Sequence, residues 1–83
     1  MAKTSSFPTL DLHGVTVDEV FDLLDRFLRK AEGNASTVRI IHGRGTGKVK
    51  EKAYEYCRMT GHAPKPDKGE NGQVNPGSFL LFL

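Results

Sequence analysis

The sequence predicts a small α/β domain that contains one β-sheet and two helices. Segments with strand character alternate with segments of helical periodicity, and the chain closes on a run that is apolar on both faces. With 83 residues and 37% hydrophobic content, the chain can build one modest core and no second domain. We expect residues 1–8 to be a flexible leader and residues 9–83 to form the domain.

The first strand and the first helix are the most clearly marked elements. Residues 9–13, with the sequence TLDLH, alternate, so that Leu10 and Leu12 point to one face and Asp11 and His13 to the other. Thr16 and the glutamate three positions later form a capping-box pattern. Apolar residues then recur at three- and four-residue spacing up to position 31, before a Gly-Asn stop, which predicts one amphipathic helix.

The second half of the chain predicts strand, helix and two further strands. Residues 37–41, TVRII, are β-branched, and a second helix is expected from about Gly47 to Thr60. Residues 61–77 hold three prolines and four glycines, within which we expect a short edge strand near residues 62–65. Residues 78–83, SFLLFL, predict a strand that is central in the sheet or covered by helices.

The topology predicts where a ligand would bind. A right-handed crossover through the first helix makes the first two strands parallel, and ligands of such sheets collect at the carboxyl ends of the strands. The pairs His13-Gly14 and His42-Gly43 both fall at that edge. Two imidazoles at one edge could supply a base and an acid near neutral pH, and Asp11 could orient one of them or simply be solvated.

Charge and composition favour a phosphate-bearing partner and exclude several other classes. Residues 9–34 carry six acidic and three basic side chains, whereas residues 39–52 carry five basic side chains against one acidic. The longest apolar run is far shorter than a membrane helix, residues 1–9 do not resemble a secretory signal, and a single cysteine excludes a disulfide framework and a cysteine-based zinc site. We therefore expect a cytoplasmic protein without a membrane partner.

The glycine-rich stretch that follows the second strand does not fit a nucleotide-binding motif. A Walker loop would require glycine where His42 stands and serine or threonine where Val49 stands, and a dinucleotide fingerprint would require glycine where Lys48 stands. Glycines and a helix N-terminus instead favour a plain phosphate site. The predicted phosphate-binding or nucleic-acid-binding residues are Gly43, Arg44, Gly45, Thr46, Gly47, Lys48, Lys50 and Lys52.

The sequence resembles the Smr domain, the small MutS-related domain. LDLHG at residues 10–14 matches its L-D-x-H-G motif, and HGRG at residues 42–45 matches its H-G-x-G motif. The resemblance implies a two-layer βαβαββ sandwich with a mixed sheet, similar to the C-terminal domain of translation initiation factor three. The residues that match the motifs, and that the resemblance makes functional, are Asp11, His13, His42, Gly43 and Gly45.

The resemblance also implies nucleic-acid binding, often with endonuclease activity on DNA or RNA, in recombination control, repair or ribosome rescue. We expect the partner to be DNA, branched or not, or RNA, including the ribosome, with Asp11, His13 and His42 as catalytic residues. A non-catalytic module that docks a larger protein on nucleic acid is the alternative. No cofactor is certain, although Mg²⁺ or Mn²⁺ bound by Asp11, His13 and His42 stays open as a single-ion site.

Overall fold

The structure is a computed structural model that describes residues 7–43, 47–68 and 72–83. Two helices and four strands follow one another in the predicted order, which confirms the fold class. The elements are β1 (Thr9–Asp11), α1 (Val17–Ala31), β2 (Thr37–Ile41), α2 (Lys48–Thr60), β3 (Pro64–Lys68) and β4 (Val74–Phe82).

The four strands form one mixed sheet in the order β1-β2-β4-β3. β1 and β2 are parallel, while β4 runs antiparallel to both of its neighbours. The connections from β1 to β2 and from β2 to β3 therefore join parallel strands and cross the sheet in the same direction. Because such crossovers are right-handed, α1 and α2 cover the same face, and the described part of the chain places no helix on the opposite, open face.

A single core fills the space between the sheet and the two helices. Along β2, Val38 and Ile40 are fully buried against the helices, whereas Arg39 and Ile41 lie on the open face. Cys57 is also fully buried, and burial raises the pKa of its thiol to about 11, so it is a core side chain. The buried apolar residues are Leu12, Val20, Leu24, Leu28, Ala31, Val38, Ile40, Ala53, Tyr56, Cys57, Phe79 and Leu81.

The last two strands exist as predicted, but their bounds differ from the prediction. The edge strand β3 spans Pro64–Lys68, later than the region near residues 62–65, and β4 begins at Val74 instead of Ser78. The prolines in both strands made their bounds hard to predict, because proline lacks the backbone N–H that pairs in a β-sheet and is therefore not typical of strands. An edge strand tolerates proline because one of its sides needs no partner. β4 lies between β2 and β3, which confirms its predicted central position.

A partly buried ion pair holds the edge strand to the rest of the sheet across β4. Arg39 on β2 donates to both carboxylate oxygens of Asp67 on β3, with Nε–Oδ2 at 2.9 Å and Nη2–Oδ1 at 3.3 Å. The hydroxyl of Ser78 on β4 donates to the same carboxylate at 2.6 Å. Burial alone would raise the pKa of Asp67, but the hydrogen bonds from Ser78 and Arg39 and the charge of Arg39 hold it below 3.8. The network thus joins three strands.

Pro8, which the prediction places in the leader, contributes to the sheet through its main chain. Its carbonyl accepts the backbone N–H of Arg39 at 2.9 Å. The ring of Phe7 lies 5.6 Å from the guanidinium carbon of Arg39, a cation–π contact. Order in the described chain therefore reaches at least two residues upstream of β1.

Candidate active site

The two His-Gly pairs lie side by side at the carboxyl ends of β1 and β2. Asp11 and Ile41, the last residues of these strands, are direct partners in the parallel register. The predicted strand through His13 is two residues too long, because the chain turns after Leu12. A methyl group placed on Gly43 would lie 3.7 Å from Cδ2 of His13, so the exposed imidazole of His13 lies next to the second motif. The structure therefore brings both predicted motifs together.

Asp11 positions His13 through the main chain. Its Oδ1 accepts the backbone N–H of His13 at 2.8 Å, an Asx-type contact that forms the turn. The sequence left two roles open for Asp11, a partner of an imidazole or a solvated residue. The structure shows a third, since the carboxylate fixes the course of the backbone from which the imidazole projects.

The residues of the single-ion site that the sequence left open are not arranged as metal ligands. Within residues 7–43, 47–68 and 72–83, no three histidine, cysteine, aspartate or glutamate side chains lie close enough to hold a metal ion. Asp11 is engaged with a backbone amide, and Nδ1 of His42 is engaged with a carbonyl. Two atoms that such a site could use, Oδ1 of Asp11 and Nδ1 of His42, thus already have partners within the protein.

His42 is held in one orientation by a stacking contact and a hydrogen bond. The residue is only 7% exposed, and its ring is stacked on Phe79 with centroids 5.9 Å apart. Its Nδ1 lies 2.7 Å from the carbonyl oxygen of Gly43. A carbonyl can only accept, so Nδ1 carries the hydrogen, and in the neutral ring the lone pair is on Nε2. Nε2 is therefore the nitrogen that is able to take up a proton.

Surroundings of low polarity keep His42 neutral. Burial lowers the pKa of His42 below 6.5, and the positive charge of Lys50 lowers it further, while the hydrogen bond to Gly43 acts in the opposite direction. The imidazole is therefore the free base at pH 7. This state suits a group that accepts a proton, and it is the opposite of the state expected for a histidine that pairs with a carboxylate.

The backbone that follows β2 is held in place by hydrogen bonds from its first two N–H groups. The N–H groups of His42 and Gly43 both donate to the carbonyl oxygen of Gly77, at 2.9 and 3.1 Å. Gly43 has a φ of 81°, which favours glycine at this position. Gly47 also has a positive φ, 89°, and is the N-cap of α2, so it brings no side chain to the first turn of the helix. The predicted phosphate ligands Arg44, Gly45 and Thr46 lie outside the described residues.

The predicted basic residues of α2 do not share one face of the helix. Lys50 lies 5.8 Å from the ring centroid of Tyr54, on the flank that faces His42. Lys52 lies 5.0 Å from the ring centroid of Phe21 on α1 and pairs with Glu55 at 3.6 Å. Residues two apart on a helix are separated by about 200°, so Lys48 and Lys52 project from one flank and Lys50 from the other. Of the lysines on α2, Lys50 is thus the one that the structure places beside His42.

Three residues around His42 were not predicted as part of the site. Phe79 stacks on His42, Tyr54 packs edge-on against Phe79 with centroids 4.9 Å apart, and Gly77 accepts both backbone amides of the turn. The sequence gives no indication of the neighbours of Tyr54. The contact between Tyr54 on α2 and Phe79 on β4 depends on the register of β4 in the sheet. The sequence does not predict that register, because a proline- and glycine-rich segment precedes the strand.

Comparisons with known proteins agree with this arrangement. A family model for the Smr domain matches residues 10–82. The chain is 37% identical over 82 residues to the Endonuclease MutS2 of Exiguobacterium sibiricum and 35% identical over 83 residues to that of Lachnoclostridium phytofermentans. Each alignment covers 98% of this chain but only 10% of the relative.

A solved structure shows the same fold. The crystal structure of the Smr domain of Thermus thermophilus MutS2 superimposes with a TM-score of 0.75 at 28% identity, covering 92% of this chain and 96% of that one. In the described ranges of the present structure, no helix is both long enough and apolar enough to cross a membrane.

Proposed function

The chain belongs to the Smr domain family, and from this premise we propose that it is a nucleic-acid-binding endonuclease domain that cleaves phosphodiester bonds of DNA or RNA. The relatives that carry the name Endonuclease MutS2 are about ten times longer than the matched region, so their activity is not assigned to this segment by similarity alone. The setting we propose is recombination control, repair or ribosome rescue in the cytoplasm.

One observation supports catalysis more than any other, namely the neutral, oriented His42 beside an exposed second imidazole. The Gly43 carbonyl fixes the proton on Nδ1, and burial keeps Nε2 unprotonated, as a general base requires. His13 lies against the same turn and is open to solvent. In the proposed reaction Nε2 of His42 removes a proton from the attacking oxygen, and His13 protonates the leaving oxygen.

The nature of the attacking oxygen differs between the two substrates. In RNA it is the 2′-hydroxyl next to the scissile phosphate, so the base and the acid are sufficient, and the products carry a cyclic phosphate. In DNA it is a water molecule, and a divalent cation such as Mg²⁺ or Mn²⁺ would supply the activation of that water. We propose that the loop from Gly43 to Lys48 binds the phosphate and that Lys50 adds positive charge beside His42.

A non-catalytic binding module is the second candidate, and the burial of His42 favours it. A histidine that is 7% exposed, stacked on Phe79 and bonded to a carbonyl could serve only to shape the turn. In that case the positive charge and the glycine turn would bind the phosphate backbone without cleaving it. If Nε2 of His42 is lost, the endonuclease candidate predicts that cleavage is lost, whereas the binding-module candidate predicts that binding is unchanged.

Substitution of the histidines distinguishes the two candidates. In His42→Asn the side-chain amide can still donate to the Gly43 carbonyl, but no nitrogen titrates; in His13→Ala the second imidazole is lost. We expect each variant to lose cleavage by roughly 100-fold or more while keeping RNA affinity within a few-fold. His62→Ala is the matched control, because His62 bonds Thr60 at the far end of α2, roughly 20 Å from the glycine turn. Equal cleavage by all three variants would contradict the catalytic roles of His13 and His42, whereas binding without cleavage by every protein, wild type included, would favour the binding module.

A further inference from the structure

A cavity of about 250 Å³ adjoins His42 on the helix-covered side of the sheet. It lies between the first half of α2 and the irregular part of the β3–β4 pair, where the register shifts between Pro66 and Lys68. The side chains used below are His42, Lys50, Tyr54, Val74, Pro76 and Phe79, all of which line the cavity. The proton-transfer scheme above assigns no role to this space.

The lining of the cavity combines flat apolar surfaces with two cations, Lys50 and Lys65. Phe79 is in contact with the rings of both His42 and Tyr54 but is itself only 1% exposed, so the aromatic wall that the cavity presents is mainly the half-buried ring of Tyr54, backed by Phe79. Val74 and Pro76 are exposed and form the rim. The ammonium of Lys50 lies beside Tyr54 and near enough to His42 to lower its pKa. A group that fits must therefore be compact, flat and apolar on its faces, with a negative charge attached.

The size of the cavity decides which form of nucleic acid can enter. Its volume is slightly below the range of roughly 300–1,000 Å³ that is typical of small-molecule sites, so it holds one small ring system. A paired base keeps both of its faces stacked inside the helix and shows only its edges in the grooves. A ring can enter this cavity only when its base is unpaired or turned out of the stack.

We propose that this cavity receives one unpaired nucleotide, with its base against the aromatic wall and its phosphate beside Lys50. The inference rests on the proposed function, since it assigns to the same site a preference for nucleic acid with an unpaired base. It explains why an aromatic wall adjoins the neutral imidazole. Occupation of the cavity brings the backbone next to the extruded base to Nε2 of His42, so the unpaired nucleotide selects the phosphodiester that is cut.

The test compares three substrates that differ at one position. The purified full chain is titrated with a labelled duplex that is fully paired, the same duplex with one extra unpaired nucleotide, and the same duplex with an unpaired abasic residue there. The abasic substrate keeps the bend and flexibility of the bulge but lacks the base. The set is prepared once as DNA and once as RNA, so that the two sources of the nucleotide are distinguished.

We expect the unpaired base to strengthen binding about tenfold in at least one of the two sets, which corresponds to about 1.4 kcal/mol. The abasic bulge should bind within about twofold of the paired duplex. Val74→Trp, which places a large side chain at the rim, should abolish the gain while leaving affinity for the paired duplex unchanged. Met59→Trp on α2 is the matched control, because Met59 is 66% exposed and not among the lining residues, and it should keep the gain.

Equal affinity for the paired, bulged and abasic substrates in both sets would overturn this inference and leave the proposed function intact. A gain that survives in the abasic substrate, or in a Val74→Trp protein that melts cooperatively, would also overturn it, since the cavity would not be the cause. A protein that binds no substrate in either set would overturn the proposed function itself, and this inference with it.

Discussion

Replacement of Asp67 by alanine should destabilise the fold by about 2 kcal/mol. Asp67 is 5% exposed, and its carboxylate accepts three hydrogen bonds, two from Arg39 and one from the Ser78 hydroxyl. Breaking a fully buried pair costs roughly 3–5 kcal/mol and breaking an exposed pair roughly 0.2–1 kcal/mol. The Arg39 side chain retains 32% exposure, which places this pair between the two cases.

Denaturant unfolding, followed by circular dichroism, measures this cost. In thermal unfolding, a loss of 2 kcal/mol should lower the melting temperature of a domain of this size by roughly 8–16 °C. Asp22→Ala is the matched control, because its pair with Arg26 has side chains that are 62% and 74% exposed, and it should cost less than about 0.5 kcal/mol. Equal losses in the two variants would refute the conclusion that the Asp67 network holds β3 to the sheet.

Acid titration gives the same network a second readout. The pKa of Asp67 in the folded protein lies below 3.8, its value in the unfolded chain, so the folded state favours the ionised form. Its contribution is complete above pH 3.8 and is lost as the pH falls through the lower, folded pKa. Wild-type stability should therefore fall more steeply than that of Asp67→Ala below about pH 4, and parallel curves would contradict the reasoning.

Three further predictions concern the first helix, the phosphate site and the pH profile. Thr16→Ala should cost about 1 kcal/mol in denaturant unfolding, because the hydroxyl that bonds Glu19 at 3.0 Å is lost, and cleavage at a permissive temperature should not change. Alanine at both Arg44 and Lys48 should weaken DNA and RNA binding alike and reduce the salt slope on duplex DNA by roughly one unit per lost phosphate contact; an unchanged slope would place the binding surface elsewhere. The pKa of His42 is lowered, so the acidic limb of the cleavage rate should fall below pH 6.5 in a pH titration, and an acidic limb above 7 would contradict its role as the base.

The sequence predicts the first half of the molecule better than the second, and the reason is local. β2 has the predicted bounds, and the capping box at the start of α1 is present, because short-range patterns determine both features. β3 and the start of β4 carry prolines that remove strand character from the pattern, while their pairing is determined by long-range contacts such as the one between Arg39 and Asp67. No local pattern marks Asp67 as a buried residue.

The candidate site was predictable in position but not in its detailed roles. The parallel arrangement of β1 and β2 follows from the crossover rule, and it is sufficient to bring His13 and His42 to one edge. The burial of His42, its bond to Gly43 and its stacking on Phe79 depend on α2 and β4 packing over the turn. Spacing along the chain cannot show that one imidazole is buried and neutral while the other is exposed.

The measurement that tests the central claim most directly is cleavage by the purified protein in the presence of a chelator. Labelled structured RNA and supercoiled plasmid are incubated with wild type and with His42→Asn, with and without chelator. We predict that wild type cuts RNA in chelator and leaves cyclic-phosphate ends, and that His42→Asn does so at least roughly 100-fold more slowly. RNA cleavage that disappears in chelator and returns with Mg²⁺ or Mn²⁺ would contradict the two-imidazole mechanism, and the absence of cleavage of either substrate under every condition would contradict the endonuclease function.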